Sequence, residues 1–167
     1  IAAYLTRCYL LGLNYIPSIA SPMNERELLG LMNYKFNRIF IFMGHGQEDG
    51  DIILGTGLAI NLNNIRFTPQ YKLVMFMSCF GSTTMALSNV VSHSDCRIGT
   101  TQSRLYFTIN TFQITFFFRA VLLSRLWPIP ISIGDVWIDV MSEFPLYINK
   151  FDISGDQNLS IKAFGYW

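Results

Sequence analysis

Two short apolar segments, each ending in one reactive side chain, constrain the fold of this chain most strongly. The first runs from Arg38 through Ile-Phe-Ile-Phe-Met-Gly to His45, and the second runs from Tyr71 through Lys-Leu-Val-Met-Phe-Met-Ser to Cys79. Short runs rich in Ile, Val and Phe predict strands buried on both faces, as in the middle of a parallel sheet. Ligands bind outside the carboxyl ends of the strands in open α/β sheets. The sequence therefore predicts that His45 and Cys79 meet at one edge of a sheet.

Helices and strands alternate along the rest of the chain, which predicts a single α/β domain over residues 1–167 with a mainly parallel sheet. Helices are expected at Ala2–Leu13, from Ser21 to a point before Arg38, and at Ser82–Val91, Asn110–Leu126 and Ser132–Phe144. Extended segments are expected at Tyr15–Ala20, Arg97–Thr100 and Leu159–Phe164, with a hairpin formed by Asp51–Leu54 and Leu58–Leu62.

Residue patterns within the helices predict their ends and their buried faces. Ser21 is expected to cap the second helix, with Pro22 at its first position. Spacings of three and four residues predict the inner faces of the first and last helices. These faces consist of Leu5, Cys8, Tyr9 and Gly12 in the first helix and of Ile133, Val136, Trp137, Val140 and Met141 in the last.

Composition and charge exclude several classes of protein. The net charge is +1 and no run of Lys or Arg occurs, so a dedicated nucleic-acid binder is not expected. The chain has 3 cysteines, an odd number, which argues against a disulfide scaffold and for a reducing, cytoplasmic compartment. Hydrophobic residues make up 51% of the chain and 14 residues are Phe, which indicates apolar surface that a partner covers.

The most apolar stretch, Phe107 to Leu123, resembles a membrane span in its composition. Asn110, Gln113 and Arg119 interrupt it, and a span needs about 20 mostly apolar residues. A helix packed on a sheet is therefore expected here, and no membrane span.

The residues His45 and Cys79 have the chemistry of a thiol enzyme. A cysteine attacks as the thiolate and needs a nearby imidazole to take its proton. Attack on an amide carbonyl creates an oxyanion that backbone N–H groups can stabilise. Gly46 would let the backbone approach a substrate closely, because it has no Cβ. Either side chain alone would be read as structural, but together at two strand ends they indicate catalysis. Cys8 and Cys96 are expected to be unreactive.

Other clusters predict neither a metal nor a cofactor. His93, Cys96, His45 and Cys79 could be arranged around zinc, but only one pair has the spacing of zinc ligands. The glycines between residues 44 and 57 lack the Lys-Ser or Lys-Thr of a phosphate-binding loop. The acidic turn formed by Glu48, Asp49 and Asp51 could attract a basic side chain or Ca²⁺.

From Ser21 to Trp167, the succession of helix, buried strand, His-Gly, hairpin, buried strand and Ser-Cys resembles the clan of caspase-like cysteine peptidases. Gingipains, clostripain and the CHAT domains are more similar to it than true caspases, whose signature has Gln-Ala before the cysteine. The specific part of the resemblance is confined to the two blocks that end in His45 and Cys79.

The resemblance implies a three-layer sandwich, with helices on both faces of the sheet. It makes His45 the catalytic histidine and Cys79 the nucleophile, and the amides of Gly46 and Cys79 the oxyanion hole. The segment Ile98-Gly-Thr-Thr101 resembles the strand that lines the substrate pocket, which implies pocket roles for Thr100, Thr101 and Gln102. Ser154-Gly-Asp-Gln157 resembles a Gly-Asp turn of the gingipain and CHAT branch.

The family's first strand has no counterpart before the first helix of this chain. The resemblance therefore implies that the domain is N-terminally incomplete and that a further segment or a partner subunit completes the sheet. The expected activity is that of an endopeptidase that cleaves protein or peptide substrates through a thioester, after a basic residue, as the acidic turn suggests. The alternatives are a catalytically silent scaffold of the same fold and an α/β subunit of a larger assembly.

Overall fold

The computed structural model describes residues 1–34, 38–62 and 70–162, which form two compact units. The sheet unit comprises the described residues of Ser21–Tyr106 together with Asn149–Asp156. The helical unit comprises Ile1–Ala20, Phe107–Ile148 and the described residues of Gln157–Trp167.

The helices and strands follow one another in an alternating order. In chain order they are α1 (Ala2–Gly12), α2 (Glu25–Met32), β1 (Ile39–Met43), β2 (His45–Gly46), β3 (Ile52–Ile53), β4 (Ala59–Ile60), β5 (Tyr71–Met77), α3 (Gly81–Leu87), β6 (Ser94–Thr100), α4 (Tyr106–Leu126), α5 (Ile133–Glu143) and β7 (Phe151–Gly155). Short 3-10 helices span Asn89–His93 and Pro145–Tyr147.

The main sheet is mixed and mostly parallel, as the alternating pattern predicted. Its strand order is β1-β5-β6-β7, in which β1, β5 and β6 are parallel and β7 is antiparallel to β6. The central strand β5 is buried on both faces, with Leu73 and Met75 on one face and Val74 and Phe76 on the other. Within the described residues β1 pairs only with β5 and forms an edge of the sheet.

A second, smaller sheet follows β1 directly and has the order β2-β3-β4. The predicted hairpin forms its strands β3 and β4, and the short strand His45–Gly46 adds a third that the sequence did not predict. Ile52 and Ile60 are buried in the same cluster as Phe42 and Phe76 of the main sheet. This burial holds the hairpin against the main sheet.

Helix α2 begins at Glu25, so the prediction that Ser21 caps it and that Pro22 starts it is wrong. The cap is Asn24, whose Oδ1 accepts a hydrogen bond from the Glu27 N–H at 2.9 Å. The Glu27 carboxylate in turn accepts from the Met23 N–H at 2.8 Å. In this reciprocal cap, Asn24 satisfies one of the helix's first N–H groups and Glu27 reaches back to the residue before the cap.

Helix α1 forms where predicted, but its buried face is a different one. Ala2, Thr6 and Leu10 are buried, whereas Leu5 and Cys8 are exposed. Apolar residues occur nearly all round this helix, so their spacing could not identify the inner face. The expectation that Cys8 lies on an apolar, buried face is therefore wrong.

Helices α4 and α5 of the helical unit are joined by an ion pair and by aromatic contacts. Arg119 and Asp139 form a bidentate pair with N–O distances of 2.5 and 2.6 Å. Phe112 packs edge-on against Trp137. Helix α4 begins at Tyr106 rather than at Asn110. The inner face predicted for α5 is largely confirmed, since Ile133, Val136 and Val140 are buried.

Helix α4 is long and apolar enough to cross a membrane by length and composition, and among the described residues it is alone in this respect. Six of its residues are buried within the protein, and Arg119 pairs with Asp139 on α5. Both features are those of a core helix in a globular unit.

Two predicted extended segments are not strands, and one strand was missed. Residues 15–20 form no strand, and within 159–162 only Ser160 makes an isolated bridge, to Ser132. The remainder of the run predicted at Leu159–Phe164 lies outside the described residues. The strand β7 was not predicted, although Asp152 and Ser154 alternate with its apolar residues.

Candidate active site

The sheet register places His45 and Cys79 side by side. Met43 at the end of β1 pairs with Met77 at the end of β5, and the Gly44 N–H extends this ladder to the Met77 carbonyl at 3.4 Å. His45 and Cys79 each follow two residues after this last pair. Because neighbouring strands are about 4.8 Å apart, the two residues leave the sheet at the same edge and next to each other.

The backbones of the two segments touch at Gly46. A Cβ built on Gly46 would lie 2.2 Å from the Cys79 carbonyl oxygen and 3.0 Å from the Ser78 Oγ. No side chain fits at that distance from a backbone oxygen. The glycine after the histidine was expected to make room for a substrate, and in the structure it makes room for the Ser78–Cys79 segment.

Cys79 lies in a tight turn of residues 78–81 between β5 and α3. The Gly81 N–H donates to the Ser78 carbonyl at 3.3 Å, which closes the turn. Phe80 adopts a left-handed backbone conformation, with φ of 55°. Such a conformation is costly for a residue with a side chain, so the surrounding contacts must enforce it. No residue other than glycine fits at position 81, because a Cβ there would lie 2.1 Å from the Phe76 carbonyl oxygen.

Thr100 at the end of β6 binds this turn from the side opposite to β1. Its side chain is fully buried, its Oγ1 accepts a hydrogen bond from the Gly81 N–H at 2.9 Å, and it donates to the Ser78 carbonyl. The resemblance implied that Thr100, Thr101 and Gln102 line a substrate pocket. The Thr100 hydroxyl is instead occupied with the backbone beside Cys79.

Residues 101–104 lie over Cys79. The Gln102 carbonyl accepts from the Phe80 N–H at 3.3 Å, and the Thr101 hydroxyl donates to the Asn149 carbonyl. The Cys79 thiol donates to the Arg104 carbonyl at 3.5 Å, and Ser103 Oγ donates to the sulfur at 3.7 Å. The sequence reasoning missed Ser103 and Arg104. Their position directly after the predicted pocket residues was the available signal.

His45 is exposed, and no hydrogen bond connects its imidazole to Cys79 within the described part of the chain. Catalytic hydrogen bonds in unliganded enzymes are often long or poorly aligned and shorten when substrate binds. The imidazole of His45 is thus exposed to solvent, whereas the thiol of Cys79 is half-buried.

Two backbone N–H groups, those of Gly46 and Cys79, lie outside the hydrogen-bonded ladders of the two sheets among the described residues. The Gln47 N–H bonds to the Asp51 carbonyl at 2.8 Å, so by the alternation of antiparallel pairs the Gly46 N–H points away from β3. The Cys79 N–H has no acceptor among the residues that the structure describes. These are the two amides that the resemblance assigned to an oxyanion hole.

Charged groups of both signs lie around the site. Glu48 and Asp49 are exposed in the turn after His45. Asp95 lies at the opposite end of β6 from Thr100 and binds the Gln70 amide at 2.6 Å. Arg104 donates to the Ser103 carbonyl at 3.0 Å, and no described carboxylate pairs with it. The Arg104 guanidinium is therefore not neutralised by a described acid.

The other cysteines and the acidic residues do not form a metal site. Cys96 is fully buried in β6, and Cys8 is exposed on α1. No group of three or more His, Cys, Asp or Glu side chains in the described ranges could hold a metal ion.

No protein-family model matches the chain, and no curated protein matches its sequence. The fold and the site define an α/β protein with a mixed, mostly parallel sheet. A histidine and a cysteine follow two neighbouring strands at one edge of that sheet.

Proposed function

We propose that the chain is a cysteine endopeptidase with a caspase-like three-layer fold, in which Cys79 is the nucleophile and His45 the general base. The observation that carries the proposal is the contact of Gly46 with the Ser78–Cys79 backbone, where a Cβ would lie 2.2 Å from the Cys79 oxygen. This contact brings the segment that bears the imidazole directly against the segment that bears the thiol. The strand order and the small sheet after β1 support the same fold.

In the proposed reaction His45 takes the proton of the Cys79 thiol, and the thiolate attacks the carbonyl carbon of the scissile peptide bond. The resulting oxyanion accepts hydrogen bonds from the amides of Gly46 and Cys79. The imidazolium then gives its proton to the leaving amine, the C–N bond breaks and a thioester remains. Water, deprotonated by His45, attacks the thioester and releases the carboxylic acid with the thiol restored.

We propose cleavage after a basic residue, which the exposed carboxylates of Glu48 and Asp49 support by their position directly after His45. Arg104 supports a second candidate, an acidic residue at the same place in the substrate, because its backbone carbonyl is 3.5 Å from the thiol and no described acid pairs with it. Asp95 supports neither candidate, because it is at the far end of β6.

An alternative function is that of a silent scaffold or an assembly subunit, in which the same pair of residues performs no chemistry. Its support is the apolar surface of the chain, of which Trp127 and Ile129 between α4 and α5 are examples. Ile39, Phe40 and Ile41 of the edge strand β1 are only half-buried. A further strand from a longer form of this protein, or from a partner subunit, would cover that edge.

The experiment that tests the peptidase proposal is labelling with peptidyl electrophiles that vary in the residue before the reactive group. We expect Cys79 to be labelled at a rate that depends on this residue. The Cys79→Ala variant should take up no label there, and His45→Ala should be labelled more slowly. Labelling of Cys79 no faster than that of exposed Cys8, whatever the peptide, would favour the scaffold.

A further inference from the structure

We infer that Thr100 is a positioning residue for the oxyanion hole, acting through the peptide bond that joins Ser78 to Cys79. This inference rests on the proposed peptidase function. It assigns to Thr100 a backbone role in place of the pocket role that the resemblance implied.

The Thr100 hydroxyl makes two hydrogen bonds with the backbone of the turn that contains Cys79. It donates to the Ser78 carbonyl and accepts from the Gly81 N–H at 2.9 Å. The side chain is fully buried, so water does not compete for either bond. The hydroxyl thus bridges the first and last residues of the turn that contains Cys79.

The Ser78 carbonyl fixes the direction of the Cys79 N–H, because both belong to the same peptide bond. The described residues contain no cis peptide bond. The Ser78 carbonyl and the Cys79 N–H therefore lie in one peptide plane and point in opposite directions. The carbonyl points to Thr100 on β6, and β5 lies between β6 and β1 in the sheet. The Cys79 N–H therefore points towards the side of β1, where Gly46 lies against the same backbone.

The residue at position 100 must both donate and accept a hydrogen bond to make these two contacts. The hydroxyl at position 100 contacts two backbone groups of opposite kind, a carbonyl and an N–H. A hydroxyl is both a donor and an acceptor. Serine retains both functions, whereas valine keeps the shape of threonine and has neither. Without the hydroxyl, the Ser78 carbonyl loses its bond to β6 and keeps only the 3.3 Å bond from the Gly81 N–H within the turn.

The test compares two reactions of the same thiol, in a Cys8→Ser background that removes the exposed competitor. Acylation by p-nitrophenyl acetate forms an oxyanion as the thiolate adds to the ester carbonyl, before nitrophenolate leaves and a thioester remains. Alkylation by iodoacetamide displaces iodide at carbon and forms no oxyanion. A defect of the oxyanion hole therefore slows the first reaction and leaves the second unchanged.

We expect Thr100→Val to lower the acylation rate about tenfold or more relative to alkylation, since loss of one oxyanion donor costs about 100-fold or more in other enzymes. Thr100→Ser should keep the wild-type ratio of the two rates. Circular dichroism and thermal melting check that each variant is folded. If Thr100→Val does not fold, Thr100→Ala removes the hydroxyl without a branched side chain and is subject to the same expectation.

Equal ratios in the wild type and in the folded variant without the hydroxyl would overturn the role of Thr100 and leave the peptidase proposal intact. A lowered ratio in Thr100→Ser would also overturn it, because the hydroxyl is still present. Acylation of the parent protein that does not depend on Cys79 would overturn the peptidase proposal and this inference with it.

Discussion

At the scale of single residues, Gly46 illustrates how the chemistry of the site depends on a missing atom. The residue joins the two segments because backbone meets backbone there, and a methyl group would have to displace the Cys79 carbonyl. The position of Gly46 directly after His45 indicated that a residue without a Cβ is needed there. The reason for it was not predictable, because the neighbour of Gly46 comes from a strand far along the chain.

We expect Gly46→Ala to lower stability by about 1–3 kcal/mol, the usual cost of forcing an extra methyl group into packed structure, and to abolish reaction of Cys79 with peptidyl electrophiles. Gly55→Ala is the matched control, because a Cβ at Gly55 meets no atom within 4 Å. Urea unfolding and labelling kinetics measure the two effects. Similar results for both variants would contradict the contact described at Gly46.

The three cysteines should differ in their reaction with a thiol reagent. Cys8 is exposed and Cys79 is half-buried, whereas Cys96 is fully buried and its pKa is raised by burial to about 11. We expect two thiols to react with Ellman's reagent in the folded protein at pH 8 and all three in denaturant. Removal of Cys8 should leave one reactive thiol in the folded state. Reaction of Cys96 without denaturant would show that β6 is accessible.

At the scale of secondary structure, both apolar runs are strands, but only one of them is buried on both faces as predicted, since four of the five residues of β1 are only half-buried. The run Tyr71–Met77 is a strand buried on both faces, as its composition indicated. The inner face of α1 was wrong because apolar residues surround the helix. The strand β7 was missed although Phe151 and Ile153 alternate with polar residues, which is the pattern of a half-buried strand. Its pairing with β6 stabilises it, and such long-range pairing is not visible in a local pattern.

The buried thiol of β6 predicts a dependence of stability on pH. Burial raises the pKa of Cys96 to about 11, whereas a thiol in an unfolded chain ionises near 8.5. The unfolded state therefore loses this proton first, and stability present below about pH 8.5 is lost as the pH rises towards 11. Burial also raises the pKa of Tyr15, to about 12, but unfolded tyrosines ionise only near pH 10.

We therefore expect the free energy of unfolding to fall between pH 8.5 and 10 in the wild type, the window that the Cys96 pKa sets. Cys96→Ala should show a flatter profile over the same range, whatever its stability at neutral pH. Urea titrations at several pH values measure the slopes. Parallel profiles for the two proteins would refute a role for Cys96.

At the scale of the whole molecule, the candidate site was predictable in its main parts and not in its surroundings. Parallel strands deliver their carboxyl ends to one edge, so His45 and Cys79 could be paired from two apolar runs. The position of residues 101–104 over the thiol could not be predicted, because it depends on hydrogen bonds such as that from the Phe80 N–H to the Gln102 carbonyl. The role of Thr100 likewise depends on a buried contact that the sequence does not contain.

Comparison of reporter peptides with Arg, Lys, Asp and Leu before the scissile bond tests the specificity. The proposed basic preference predicts faster cleavage of the Arg and Lys peptides, and lower rates for them in a Glu48→Gln/Asp49→Asn variant. Arg104→Gln is the matched change on the other side of the site, and it should slow only cleavage after Asp if the second candidate is correct. Fastest cleavage after Leu would contradict both.

The division of the site between two sheets has a mechanical consequence. His45 belongs to the small sheet, whose strands are only two residues long, while Cys79 follows the central strand of the main sheet. His45 and Cys79 thus lie on separate hydrogen-bonded sheets, which are in close backbone contact at Gly46. A displacement of the hairpin would carry the imidazole away while the thiol stays in place. The same displacement would expose Ile52 and Ile60 of the core cluster, so the position of the imidazole depends on the burial of the hairpin.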